Sequence, residues 1–239
     1  MDQQPLNDRP EAAPPSAPKP AGWTAADTWL GLALTILLVV GYTLGLAALG
    51  SGRNISLIYI STFEFILLIP IAVIFFWRKV NWVELGLRSF NRNALSLGCG
   101  LLIAVYVLVM VNNIIMVRLG LITQADVITE LLGEIDAPYL FAFVTAFVAP
   151  FTEELFFRGF LFKGFREKYG WVNALMFSSI IFALFHGQIA TLIPTFLLGA
   201  LFSYMYQRTE SVLPGMLLHF TVNGVGVLVL LVSNQMGVM

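Results

Sequence analysis

Residues 140–162, LFAFVTAFVAPFTEELFFRGFLF, form an apolar run of the length a helix needs to cross a bilayer, about 20 residues. Glu153, Glu154 and Arg158 stand inside it. An ionisable group near mid-bilayer costs roughly 2.5–3.5 kcal/mol on insertion scales, so such residues are retained for a reason. At about 1.5 Å per residue, Glu153 lies roughly 15 Å from Lys163 and roughly 21 Å from Tyr139, too deep to reach water at either end. Glu154 and Arg158 are spaced i,i+4, share a helix face and can neutralise each other as an ion pair. Glu153 points about 100° away and has no partner on its own helix.

The rest of the chain fits a membrane protein. Of its 239 residues 58% are hydrophobic and 11% charged, against roughly 25% charged in a soluble domain. Apolar runs recur at 28–49, 56–77, 95–117, 139–162, 171–187, 189–207 and 212–234. They lack the period-two alternation of barrel strands, and backbone groups in lipid must be satisfied within their own segment. The expected fold is all-α, a polytopic transmembrane helix bundle of about seven spans around a polar intramembrane cavity. An acidic segment at 124–136, with Val127, Ile128, Leu131, Leu132 and Ile135 at helical spacing, makes eight if it lies along the interface.

Four regions follow. Residues 1–22 hold six of the eleven prolines and few large apolar side chains, the composition of a disordered tail. The tail has no basic region leading into a short apolar one, so a cleaved signal peptide is not expected. Residues 23–120 are N-terminal transmembrane helices, 121–138 the acidic interfacial segment, and 139–235 the helices that carry the chemistry. Counting Lys and Arg between spans gives ten on the side of the tail and two, Arg53 and Arg118, on the other. The positive-inside rule then predicts a multi-pass protein of the cell membrane with the N-terminus cytoplasmic and the C-terminus outside. A net charge of −1 without a basic patch argues against a nucleic-acid partner. The single cysteine, Cys99, excludes an intramolecular disulfide and a cysteine-rich metal site.

Glu153 needs a partner, and the chain has two histidines. The connection around Tyr169 is short enough to make an antiparallel hairpin, which brings His186 to nearly the depth of Glu153. His219 and Asn223, again i,i+4, share a face of the last span. No serine or cysteine sits in an activated context, so the nucleophile this set could serve is water. Glu153 and His186 suit removal of the water proton; His219 and Asn223 suit an oxyanion hole. The reaction class is amide hydrolysis within the bilayer. A divalent metal such as zinc, held by Glu153, His186 and His219, is the rival use of the same atoms; no cofactor is required by the first reading, and the HExxH spacing is absent.

Three motifs, EELFFR (Glu153, Glu154, Arg158), FALFH (Phe182, His186) and HFTVN (His219, Asn223), match EExxxR, FxxxH and HxxxN in order. Over residues 139–226 the chain resembles the CPBP intramembrane proteases, a group that includes type II CAAX prenyl endopeptidases and bacterial Abi or bacteriocin-immunity proteins. The resemblance implies helices around a conical cavity, water activation by Glu153 and His186, and an oxyanion hole from His219 and Asn223. It also implies supporting roles for Glu154 and Arg158, and Phe182 packed beside His186. Often called metalloproteases, its members act on lipidated proteins or membrane-associated peptides. The alternatives are a noncatalytic immunity or scaffold protein and a proton-coupled transporter, which would use the same Glu and His residues for packing or as a relay.

Overall fold

The structure is a computed structural model that describes residues 20–50, 53–121 and 137–235. Most of the tail and the segment 124–136 therefore lie outside the described residues. Among the described residues the chain is helical and has no strand. Six runs are long and apolar enough to cross a membrane: Ala25–Ala48, Ile55–Arg78, Arg92–Arg118, Pro138–Phe185, Ile189–Thr209 and Leu213–Val232.

The fourth run spans 48 residues, twice a bilayer crossing, but is not one rod. Gly170, at φ 77 and ψ 162, leaves helical geometry there, a conformation open to a residue without Cβ. Ser178 Oγ donates to the Phe157 carbonyl at 2.7 Å, and the Phe157 and Phe182 rings meet edge to face at 4.9 Å. On an unbroken helix Phe157 and Ser178 would stand roughly 30 Å apart. The run is thus the antiparallel hairpin read from the sequence. With its arms counted separately, the six long runs become seven apolar segments.

The α-helices are α1 (Ala25–Ala48), α2 (Arg53–Thr62), α3 (Leu68–Arg78), α4 (Arg92–Arg118), α5 (Pro138–Phe143), α6 (Ala149–Glu153), α7 (Lys163–Phe185), α8 (Leu192–Thr209) and α9 (Leu213–Gln235). A 3₁₀ turn, Phe63–Leu67, joins α2 to α3. Two π-helical stretches, Val144–Val148 and Glu154–Phe162, flank α6.

Lipid tails are as apolar as the side chains they meet, so close packing and polar links must hold membrane helices together. Both are present. Thr24 and Asp27 form a reciprocal cap that starts α1, and Asp27 also pairs with Arg78 at 2.7 Å, joining α1 to the end of α3. Buried Lys163 donates to the carbonyl of Glu84 at 2.7 Å and to its carboxylate at 3.0 Å. Arg166 reaches Glu210 at 2.9 Å across the hairpin and α8. Next to this ion-paired end, Phe156, Phe157, Phe160, Phe162 and Phe165 are fully buried and Trp23 stacks on Phe160 at 5.6 Å. Gly159 lets that helix approach the backbone of Leu85: a Cβ there would lie 2.8 Å from the Leu85 carbonyl oxygen.

Candidate active site

The site begins with a proline. Pro150 has no N–H to give to the preceding turn. In the π-helical turn before it, the Ala149 N–H bonds to the carbonyl of Val144, five residues back. In the same register the carbonyl of Thr145 faces Pro150 and goes without a donor. Asn223 supplies one: its Nδ2 donates to the Thr145 oxygen at 2.9 Å, fastening α9 to the widened turn. One Asn223 N–H is therefore committed to structure and the other remains.

One turn later Glu154 and Arg158 pair as expected, with Arg158 Nη1 2.8 Å from Glu154 Oε1 and neither side chain exposed. Breaking such a pair leaves an uncompensated buried charge, which is why both must be held well. Arg158 is: Nη2 donates to the Gly199 carbonyl at 3.3 Å, and the guanidinium lies over the rings of Phe182 (4.4 Å) and Phe202 (5.2 Å). Glu154 abuts the first turn of α9, where the positive end of the helix dipole favours a carboxylate. A Cβ on Gly215 in that turn would come within 2.7 Å of Glu154 Oε2, so glycine leaves the carboxylate room where it stands.

His219 stands between the two glutamates. Its Nδ1 is 3.1 Å from Glu154 Oε1 and its Nε2 is 3.6 Å from Glu153 Oε2. Glu154 is ion-paired and can only accept, so Nδ1 carries the hydrogen that bonds it and Nε2 is the nitrogen that faces Glu153. The ring stacks on Phe202 at 5.0 Å and meets the edge of Phe182 at 5.9 Å. The two glutamates differ in access, since Glu153 keeps 16% of its side chain exposed and Glu154 none. Of the two, Glu153 is the more accessible.

Glu153 and His186, expected as a pair, make no direct contact. His186 follows the last residue of α7 and its Nδ1 turns back to the Phe182 carbonyl at 2.8 Å, and no ring nitrogen of His186 lies within ion-pair distance of Glu153. Depth along a hairpin fixes the level of a residue but not its direction around the axis. The two histidines do share a wall, because Phe182 packs on His186 at 4.7 Å as well as on His219. The Nδ1–H of His186 is spent on the backbone, which leaves the lone pair on Nε2.

The ligand set named for zinc, Glu153, His186 and His219, is not assembled either. Among the described residues no three His, Cys, Asp or Glu side chains are grouped so as to hold a metal ion. As placed, the donor set does not fit one.

A third carboxylate was missed. Glu64, in the 3₁₀ turn between α2 and α3, accepts a hydrogen bond from Thr152 Oγ1 at 3.2 Å, one residue before Glu153. Its signal in the sequence is a lone Glu within the apolar run 56–77, with no motif around it. Asn112 is a smaller omission: buried in α4, it donates to the carbonyl of Ala190 at 3.0 Å and steadies the turn that enters α8.

Residues 135–225 match a family described as type II CAAX prenyl endopeptidase Rce1-like. Over 104 residues the chain is 28% identical to a protein of Bacillus subtilis (strain 168) named "Putative membrane peptidase YdiL". The match covers 44% of this chain and 43% of that protein, so the chain spans less than half the length of the relative it matches. No solved structure matches.

Proposed function

We propose, from the premise that residues 135–225 belong to the CAAX-type CPBP membrane peptidase family, that this chain hydrolyses a peptide bond of a membrane-associated or lipidated protein. The observation that supports it best is His219 held by Glu154 at 3.1 Å with its free nitrogen turned to the accessible Glu153 at 3.6 Å.

In this reading a water between Glu153 and His186 attacks the scissile carbonyl carbon. Its proton passes to Glu153, and from there it is shared with His219 Nε2. Hydrogen bonds of this kind are often long in a site without substrate and tighten in the reacting complex. A proton on Nε2 makes His219 a donor at the moment the tetrahedral oxyanion forms. The uncommitted N–H of Asn223 is the second donor. The same proton then moves to the amide nitrogen as the C–N bond breaks, giving an acid and an amine and returning Glu153 to its carboxylate. Arg158 and Glu154 touch no reacting atom; they balance charge and fix the tautomer of His219. No step is routed through a metal.

The test compares the termini of membrane proteins in cells carrying the natural chain with those in cells carrying Glu153→Gln or His186→Ala. New termini that depend on both residues, with the variants still folded, support the peptidase. Unchanged termini in all three strains, or cleavage retained by Glu153→Gln, overturn it.

A further inference from the structure

Glu64 lies in the apolar run Ile55–Arg78, outside the residues that match the peptidase family. Among the described residues it has no ion-pair partner: Arg158 is paired with Glu154, and His219 stands between Glu153 and Glu154. A carboxylate left this way in a membrane segment is expensive and calls for a use. It accepts a hydrogen bond from Thr152, a fully buried residue whose hydroxyl also lies 3.1 Å from the carbonyl oxygens of Val148 and Ala149. The single hydrogen of Thr152 is shared among three acceptors, so the contact with Glu64 competes with the local carbonyls and draws part of that bond across to another helix.

The backbone on both sides is unusual at this level. The chain leaves α geometry at Phe63 for a 3₁₀ turn that carries Glu64, and α6, which carries Thr152 and Glu153, is a single short α segment between two π-helical stretches. Departures of this kind inside long helices recur at functional hinges and sites. A five-residue segment between widened turns has few bonds of its own to fix its rotation. Whatever holds Thr152 also sets the direction of the next side chain, Glu153.

We infer that Glu64 is a positioning residue of the candidate site: through Thr152 it fixes the turn that aims Glu153, so the N-terminal helices contribute to a centre otherwise built from residues 145–223. The inference rests on the peptidase reading. It is tested on the purified full chain in detergent, with a quenched fluorescent peptide built on a cleavage site found in the comparison of termini.

A reacting group misplaced by about 1 Å can cost roughly 100-fold. Thr152→Val, nearly isosteric, and Glu64→Leu should each lower kcat about 10–100-fold with KM within about twofold. The double variant should be no slower than the slower single, because both remove one link. Thr152→Ser and Glu64→Gln keep a donor and an acceptor and should restore most of the rate. Thr152→Val at the natural rate, multiplicative losses in the double variant, or Glu64→Gln as slow as Glu64→Leu would each overturn the inference. Thermal unfolding of every variant separates loss of fold from loss of aim, and Thr152→Val carries the test if Glu64→Leu does not fold. Cleavage that survives Glu153→Gln refutes the peptidase reading itself; cleavage abolished by Glu153→Gln but untouched by Thr152→Val refutes only the role of Glu64.

Discussion

The N-terminal and C-terminal helices use their apolar side chains in opposite ways. In the most apolar stretches of the first three runs, 17%, 28% and 6% of residues are buried within the bundle; in the hairpin and the run after it the share is 56% each, and in the last run 33%. Phe76, 89% exposed on α3, and Phe156, fully buried in the hairpin, make the contrast in one residue type. Hydropathy is therefore a poor guide to where a membrane protein is packed. What separates the regions is charge: where Glu153, Glu154, Arg158 and His219 must be kept from lipid, aromatic side chains are drawn inward around them.

The sharpest way to break this contrast is to remove the charge balance. Arg158→Ala strands Glu154 in a ring of phenylalanines and should destabilise the protein by about 3–5 kcal/mol, read as a large loss of thermal stability in detergent. Stability near the natural value would mean that the pair is not a keystone. Glu153→Gln should leave stability unchanged and lower cleavage about 1,000-fold, within the range of a lost general base. Asn223→Ala should cost roughly 100-fold in kcat, as for one oxyanion donor, together with a stability loss of about 1 kcal/mol from the freed Thr145 carbonyl.

Glycines sharpen the same comparison without touching the site. Gly159→Ala forces a methyl group toward the Leu85 carbonyl and should cost about 1–3 kcal/mol. Gly41→Ala, on α1 with nothing within 4 Å of the added carbon, should stay within about 0.5 kcal/mol of the natural chain. Equal effects at the two positions would erase the distinction between a packed region and a lipid-facing one. The smallest expected effect is that of a chelator, which should leave cleavage unchanged. Loss of activity restored by zinc would return Glu153, His186 and His219 to the role of ligands.

What the sequence made legible was local or one-dimensional. The seven apolar runs, the hairpin at Gly170 and the Glu154–Arg158 pair each follow from length, turn chemistry or i,i+4 spacing. The missed features are directional and distant. Nothing in the spacing of His186 says that its ring turns back to Phe182, and nothing links Glu64 to Thr152 across 88 positions. The π-helical turns were hidden for another reason: Pro150 announces a kink, but whether the freed carbonyl is met by a widened turn and an asparagine from another helix is decided by tertiary packing. Motifs name the polar residues and leave their partners to the fold.

The reversal at Gly170 also bears on how such a chain enters a membrane during synthesis. Thirteen Leu, Val and Phe residues in 140–162 favour insertion by roughly 0.3–0.6 kcal/mol each, while each of the three charges opposes it by about 2.5–3.5 kcal/mol. Alone, that arm is close to balance or worse. Its companion arm brings no deep charge and offers Phe182 to the Arg158 guanidinium. A hairpin that partitions as one unit would shelter the charged groups before the last span arrives, so the Gly170 turn serves insertion as well as shape.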